Sequence, residues 1–199
     1  MDTTPDVAIA SPADTATFAV VLGDAFSNDP MMSWAFPDPA TRPRILESMF
    51  GLIALHRYLP AAMSTKCGDD AVALWTRPTE TARDDFYEKH GAEFAAALAG
   101  HTERISKMGE AMAAHHPTEP HAYLLAIGVR SASQGRGLGS LLLAHTLAEA
   151  DRRGEPAYLE ATSPRSRALY ERHGFEVTGE ITVDDSPSMW PMWREPRPR

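Results

Sequence analysis

The chain has 199 residues, 43% of them hydrophobic and 23% charged, with a formal net charge of -8. That length supports one sizeable core, expected as a single domain over residues 1–199, and the composition is that of a folded globular protein rather than a disordered or fibrous one. The acidic balance offers no basic field to displace counterions from nucleic-acid phosphates, so no nucleic-acid partner is expected and a cationic small molecule suits the chain better.

No segment approaches the roughly 18 consecutive apolar residues of a membrane span, so no membrane partner is expected. The opening run MDTTPDVAIASPADTA lacks the basic flank and apolar stretch of a secretory signal. A cytoplasmic location follows as the expectation. The single cysteine, Cys67, excludes an internal disulfide and leaves a cysteine-based metal cluster without ligands. It precedes a Gly-Asp-Asp turn signal, a poor setting for a nucleophile.

In chain order, VAIA (7–10) reads as a short strand. SPADTATFAVVLGDAF then carries apolar residues at helical spacing behind Ser11 or Asp14 as N-caps. Ser27 to Pro43 is proline-rich and reads as an irregular loop holding Trp34 and Phe36, after which RILESMFGLIALHRYL returns to helical periodicity. AAMSTKC and AVALWTRP, joined by the GDD turn, read as a β-hairpin closed by Pro78. Thr81 to His116 reads as helix broken near Gly91 and Gly100. HAYLLAIGV is a buried strand, and LGSLLLAHTLAEADRRG is a helix with an apolar face at Leu138, Leu141, Leu142 and Leu147, closed by Gly154. PAYLEA is a strand, Ser163 and Pro164 begin a short helix that Gly174 ends, and FEVTGEITV is a strand. SMWPMW is strand-like, confined by Pro191 to an edge, an end or a bulge, and REPRPR reads as a frayed end. Helices alternating with strands predict an α/β or α+β class with a mixed sheet.

The stretch GVRSASQGRGLGS lies between a strand and a helix. Amides at a helix N-terminus have no intrahelical partners and meet the positive end of the helix dipole, so such a loop can hold a phosphate. Glycine lets the backbone approach the anion closely, and Arg136 can add a charged contact. A tight turn without ligand is the bland alternative. The P-loop pattern fails for want of a lysine, and the dinucleotide fingerprint fails because the spacing is G-x-G-x-G.

Gln134, Gly137 and Gly139 match the pattern of Gln or Arg, two residues, Gly, any residue, Gly or Ala that marks the acetyl-CoA loop of the GNAT acetyltransferase superfamily. LYERHGFEVTGE (169–180) resembles the second GNAT hallmark, a Leu-Tyr-Glu helix followed by a strand opened by Gly-Phe. AVALWTRPTE, EPHAYLLAIGV and PAYLEATSPRSRALYERHGF look like the puromycin N-acetyltransferase-like branch of actinobacteria. The likeness is thin over the first 60 residues or so and over Thr81 to His116, and a fold does not carry its substrate with it.

The resemblance implies a mostly antiparallel mixed sheet of six or seven strands flanked by helices. It also implies acetyl transfer from acetyl-CoA, the cosubstrate, to a primary amine in a ternary complex. The acceptor is expected to be a small-molecule amine, with acetylation of a protein amine or a sensor module without turnover as alternatives, and a homodimer is allowed. Tyr170 is then the acid that protonates the leaving thiolate. The main chain of Ile127 and Val129 binds the pantetheine arm, with the Val129 N–H a candidate oxyanion donor. Gln134, Gly135, Arg136, Gly137, Leu138, Gly139 and Ser140 hold the pyrophosphate. Ser166 stands where many relatives carry an asparagine and is a weak pantetheine contact.

Glu160 is the first candidate for the base, with a structural glutamate and a water chain as the alternative, and His121 is a lesser one. His115 and His116 lack the spacing of a metal pair, and no metal is expected. Trp34, Phe36, Trp75, Tyr123 and Trp190, with Trp193 beside them, are candidates to line the acceptor pocket by stacking and cation–π contact.

Overall fold

In the computed structural model, which describes residues 6–77 and 85–197, seven strands form one sheet in the order β1-β2-β3-β4-β5-β7-β6. The strands are β1 (Ala8–Ile9), β2 (Thr65–Cys67), β3 (Ala71–Thr76), β4 (Ala122–Val129), β5 (Ala157–Ala161), β6 (Glu176–Val177) and β7 (Trp190–Arg194). Neighbours pair antiparallel except β4 and β5, which run parallel. The helices are α1 (Thr15–Phe26), α2 (Pro30–Ala35), α3 (Arg42–Ile53), α4 (Phe86–Ala97), α5 (Thr102–His115), α6 (Leu138–Arg153) and α7 (Pro164–Arg172). This is the mixed sheet that the alternation of elements predicts, and its mostly antiparallel pairing is what the resemblance implies.

Two cores cover the two faces of the sheet. Phe18, Leu22, Met31, Leu46, Phe50 and Tyr58 pack with Val72, Leu74 and Ala126 on one face. Leu138, Leu142, Leu143, Leu147 and Tyr170 pack with Ala73, Trp75, Leu124 and Leu159 on the other. On the first face α1 lies close against β4. A Cβ on Gly128 would stand 2.9 Å from Leu22 Cδ2 and 3.0 Å from Ala25 Cβ, so only hydrogen fits between this helix and strand.

Several elements depart from the sequence expectations. The segment 27–43 is not wholly irregular: Asp29 Oδ1 accepts from the Met31 and Met32 amides at 2.9 and 3.1 Å and caps α2, with Pro30 at the first helical position where its missing N–H costs nothing. The second predicted helix ends in a wider π turn, Ala54–Tyr58. Gly91 lies within α4, and the break falls at Ala99 and Gly100, both in left-handed conformation. Pro78 and Thr81 lie outside the described residues.

The strand expected over FEVTGEITV is ordered as β6 only at Glu176–Val177, with an isolated bridge from Ile181 to Met189. For β7 the expectation of an edge, an end or a bulge is met at the end. The strand lies between β5 and β6, with Pro191 second in it, opposite Glu160. The expected fray at REPRPR fails at Arg194, which is 3% exposed and grips Asp151 through two bonds of 2.7 and 2.8 Å, while the Arg197 amide donates to the same carboxylate. Charge pairing on α6 holds what composition suggested would be loose.

Candidate active site

Strands β4 and β5 pair only at Ala122, Tyr123 and Leu124. A register slip between Leu74↔Ala126 and Trp75↔Leu124 leaves Leu125 as an extra residue in β4, and such a bulge bends its strand. From Ala126 to Val129, β4 keeps β3 as its partner and its other edge stands free of β5. An open strand edge offers unpaired main-chain donors and acceptors to an extended ligand. Ile127 and Val129 lie on that edge.

Beyond β4 the chain is anchored from below. Asp24 on α1 accepts from the Ser131 amide at 2.6 Å, Asp70 accepts from the Ser133 hydroxyl at 2.9 Å, and the Arg130 guanidinium donates to the Asp69 carbonyl at 3.0 Å. Gln134 Nε2 turns back to the Val129 carbonyl at 3.3 Å. Gly135 and Gly137 then take φ of 78° and 80°, and a Cβ on either would meet nothing within 4 Å. Gly137 opens α6 without any side-chain cap, so the first-turn amides, from Leu138 to Ser140, have no capping side chain at the positive end of a 16-residue helix.

Arg136 is exposed, 3.9 Å from Asp70. Ser140 Oγ lies 3.2 Å from His173 Nε2, a ring that burial and then Arg172, Arg194 and Arg197 hold below its ordinary pKa. Gly139 faces Val129 Cγ2 and Leu169 Cδ2, each 3.7 Å from where its Cβ would be. The loop, the end of the open strand edge and helix α7 thus converge at one point.

Tyr170 follows Leu169 on that helix, 6% exposed and edge-on to Phe175 with ring centroids 6.0 Å apart. Burial raises its phenol pKa, and the charge of Asp29 adds to the effect. Asp29 is the residue that sequence reasoning missed. Its Oδ2 accepts from Thr162 Oγ1, just beyond β5, at 2.5 Å, and burial raises its pKa against those hydrogen bonds. The Asp-Pro pair was a legible helix start, but nothing local said that its carboxylate reaches β5. Ser166 Oγ is engaged in the capping box of α7 with Ser163, 2.9 Å away.

Glu160 lies on the α1 face of the sheet, with a side chain 2% exposed. Its Oε2 accepts from the Tyr123 hydroxyl at 2.9 Å, and its Oε1 is buried without a hydrogen-bond partner. Burial and the Glu160 charge raise the pKa values of both Tyr123 and Tyr158. His116 stands edge-on to the Tyr123 and Tyr158 rings at 4.9 and 5.0 Å.

The five candidate pocket aromatics do not converge. Trp75 is fully buried in the α6-side core, and Trp190 lies on that same face with Arg167 over its ring at 5.6 Å. Phe36 is 1% exposed, edge-on to His101. Trp34 stays half-buried, donating to Asp185 at 2.8 Å beneath the Arg104 guanidinium. Of the five, Tyr123 is the one that touches Glu160. Trp75 and Phe36 are thus packed inside the two cores, and Trp190 lies on the face that carries Tyr170.

Cys67 is buried and burial pushes its thiol up, leaving it inert. His56, His90 and Glu93 bring donor atoms within 4.8 Å of one another, but the two rings stack at 3.8 Å and 19° rather than aiming lone pairs at one point.

The chain aligns over 99% of its own length and 99% of the other chain with a crystal structure of a histone acetyltransferase HPA2 and related acetyltransferase from Corynebacterium glutamicum, at 32% identity and a TM-score of 0.74. The model of the acetyltransferase (GNAT) family matches residues 92–175. The chain belongs to the GNAT acetyltransferase family. The GNAT fold is also shared with arylalkylamine N-acetyltransferase 2 from Aedes aegypti, at 15% identity over 98% of this chain and 100% of that one, with a TM-score of 0.65. A 5-NmdU N-acetyltransferase of Pseudomonas phage PaMx11 is 31% identical over 74 residues, 37% of this GNAT chain. The match spans 53% of that relative. Among the described residues no helix is long and apolar enough to cross a membrane.

Proposed function

We propose that this GNAT protein transfers the acetyl group of acetyl-CoA to a primary amine of a small molecule, by direct attack in a ternary complex. The observation that carries the reading is the convergence at Gly139 of three things: an uncapped helix N-terminus behind two left-handed glycines, the free edge of β4, and the helix bearing Tyr170. The amides of Leu138 to Ser140, with Gln134 and Arg136 at the rim, anchor the anionic pyrophosphate. The pantetheine arm runs along Ile127 and Val129 toward the gap between β4 and β5. Acetyl-CoA supplies the activated acyl group, and the chain supplies the proton transfers around it.

Tyr170 is the acid for the leaving thiolate, since burial keeps its phenol protonated. Glu160 is the base. Asp29 is the competing buried carboxylate, but its oxygens are already committed to Met31, Met32 and Thr162, whereas Glu160 keeps Oε1 without a partner. A free acceptor oxygen can receive the ammonium proton, directly or through one water. Asp29 instead ties α2 to the end of β5. Ser166, spent in its capping box, makes no more than a water-mediated contact with the arm.

The acceptor is a small amine rather than a protein tail, because the base is 2% exposed among tyrosine rings. Aminonucleosides, as in the puromycin-like branch, belong in the first panel beside arylalkylamines and polyamines. The test is thiol release from acetyl-CoA across that panel, with acetyl-CoA binding measured separately. Binding without any amine-dependent release sinks the enzyme reading and leaves a sensor; release only with peptide amines sinks the small-molecule reading.

A further inference from the structure

Glu160 Oε1 is an acceptor sealed from water and without a hydrogen bond of its own; His116 Nδ1 stands 3.9 Å away, and the Tyr158 phenol also faces the carboxylate. A buried carboxylate oxygen is costly to leave unpaired, so what His116 carries at Nδ1 matters. Its neighbour answers the question. His121 Nδ1 lies 2.6 Å from the Glu119 carbonyl oxygen, which can only accept, so that nitrogen holds the hydrogen.

Burial holds the His121 pKa below its ordinary value, which keeps the ring neutral and its Nε2 a bare acceptor. His116 Nε2 lies 3.1 Å from that atom and therefore donates. A neutral His116 then carries its lone pair on Nδ1, facing the orphaned Glu160 oxygen.

We infer that His116 relays the acceptor's proton from Glu160 to solvent, and that His121 is the positioning residue that fixes its tautomer. The inference rests on Glu160 being the base. The ammonium N–H bond breaks as a Glu160 O–H bond forms, freeing the amine lone pair for attack. That O–H bond then breaks as His116 Nδ1–H forms, giving an imidazolium beside a carboxylate. The imidazolium, with a side chain 36% exposed, turns its Nδ1–H away from the carboxylate to the solvent side, passes that proton to water and turns back as the neutral Nε2–H form.

The remaining groups facing His116 do not compete for the proton. Tyr123 on β4 and Tyr158 on β5 are held neutral by burial, which raises both phenols, and His121 is already committed at both nitrogens. The exit is open as well. A surface groove of about 480 Å³, lined in part by His115, Glu119 and Trp193, lies alongside the histidine pair, where the His121 and Trp193 rings meet edge-on at 5.6 Å.

Two measurements on the intact protein test this. Long-range nitrogen–proton spectra of histidine-labelled protein at neutral pH are expected to show His121 as the Nδ1–H tautomer and His116 as Nε2–H; a His116 Nδ1–H tautomer overturns the relay whether or not an acceptor is in hand. In thiol-release assays with whichever of 2-phenylethylamine, agmatine, spermidine or puromycin turns over fastest, His116→Phe is expected to lower kcat/KM by about 10- to 100-fold. Added imidazole should restore it in proportion to concentration. A His116→Phe enzyme with wild-type rate and no imidazole dependence overturns the relay. Glu160→Gln separates the two ideas: it should be slow and unrescued by imidazole, and if it is fully active the base reading itself fails, taking the relay with it.

Discussion

Removing one oxygen atom, by Tyr170→Phe, separates the chemistry at the cleft from the fold around it. The ring stays in place against Phe175, and among the described residues no hydrogen bond links the hydroxyl to another group, so stability should change by less than about 1 kcal/mol. Turnover should change far more. A positioned acid contributes about 100- to 10,000-fold, which is about 3–5 kcal/mol of barrier, and at 6% exposure bulk water is a poor substitute. The phenol pKa is raised by burial and by Asp29, so the acid form persists above the ordinary tyrosine value of about 10. No alkaline loss of wild-type kcat is therefore expected below about pH 10 from this group. Thiol release followed against pH, with acetyl-CoA affinity measured in parallel, reads all of this. A Tyr170→Phe enzyme with full kcat refutes the acid role, and so does a wild-type alkaline limb near pH 8 that the variant abolishes.

Gly137→Ala puts a Cβ at φ 80° where no protein atom lies within 4 Å, so it should cost about 1–2 kcal/mol of stability. It should raise the KM for acetyl-CoA at least about 10-fold by crowding the anion; an unchanged KM removes the loop from the site. Gly128→Ala, by contrast, forces a methyl to 2.9 Å from Leu22, and urea unfolding should show a loss of about 1–3 kcal/mol. Arg194→Met strands Asp151 and the His173 carbonyl that Arg194 holds at 2.9 Å, and should cost about 2–4 kcal/mol. Because Arg194 lowers the Asp151 pKa, its contribution is present above the unfolded carboxylate value of about 4 and disappears as pH falls through the lower folded value. Wild-type and Arg194→Met stabilities should accordingly converge toward pH 2, and a gap that persists there points to packing rather than charge.

The parts of the molecule that were legible in the sequence are those built from local rules. Ser163, Pro164 and Gly174 bound α7, and Gly154 closes α6, because caps and left-handed termini are decided within a few residues. The glycine loop was legible for the same reason. The face on which an aromatic falls was not. Strand β3 is buried at every residue, so its sequence shows no alternation from which to assign Trp75 to a side. The register slip at Leu74 and Trp75 then shifts the phase that a regular ladder would give. Trp190 is placed by its pairing with Ala161, a contact invisible in the sequence, and Arg194 owes its burial to Asp151, 43 positions away.

That contrast follows the division of labour in the site. The family match over residues 92–175 takes in β4, the glycine loop, α6, β5 and α7, the elements that carry the donor site proposed above and Tyr170. Asp29 on the threshold of α2 and Tyr58 in the π turn lie outside it: Asp29 reaches Thr162 at the end of β5, and Tyr58 is a buried phenol whose pKa is raised by burial and by the Glu160 charge. The Tyr58 hydroxyl and Glu160 Oε1 are both buried without partners. A polar centre left unsatisfied in this way has a place for one more donor, and a cationic amine brings one. On the function proposed above, donor recognition rests on a contiguous stretch of chain whose geometry local sequence can dictate. On the same proposal acceptor choice rests on groups that meet only when the helices pack over the sheet, so substitution at Tyr58 should change which amine is used while leaving acetyl-CoA affinity within about 2- to 3-fold, the scatter expected of distant, independent sites.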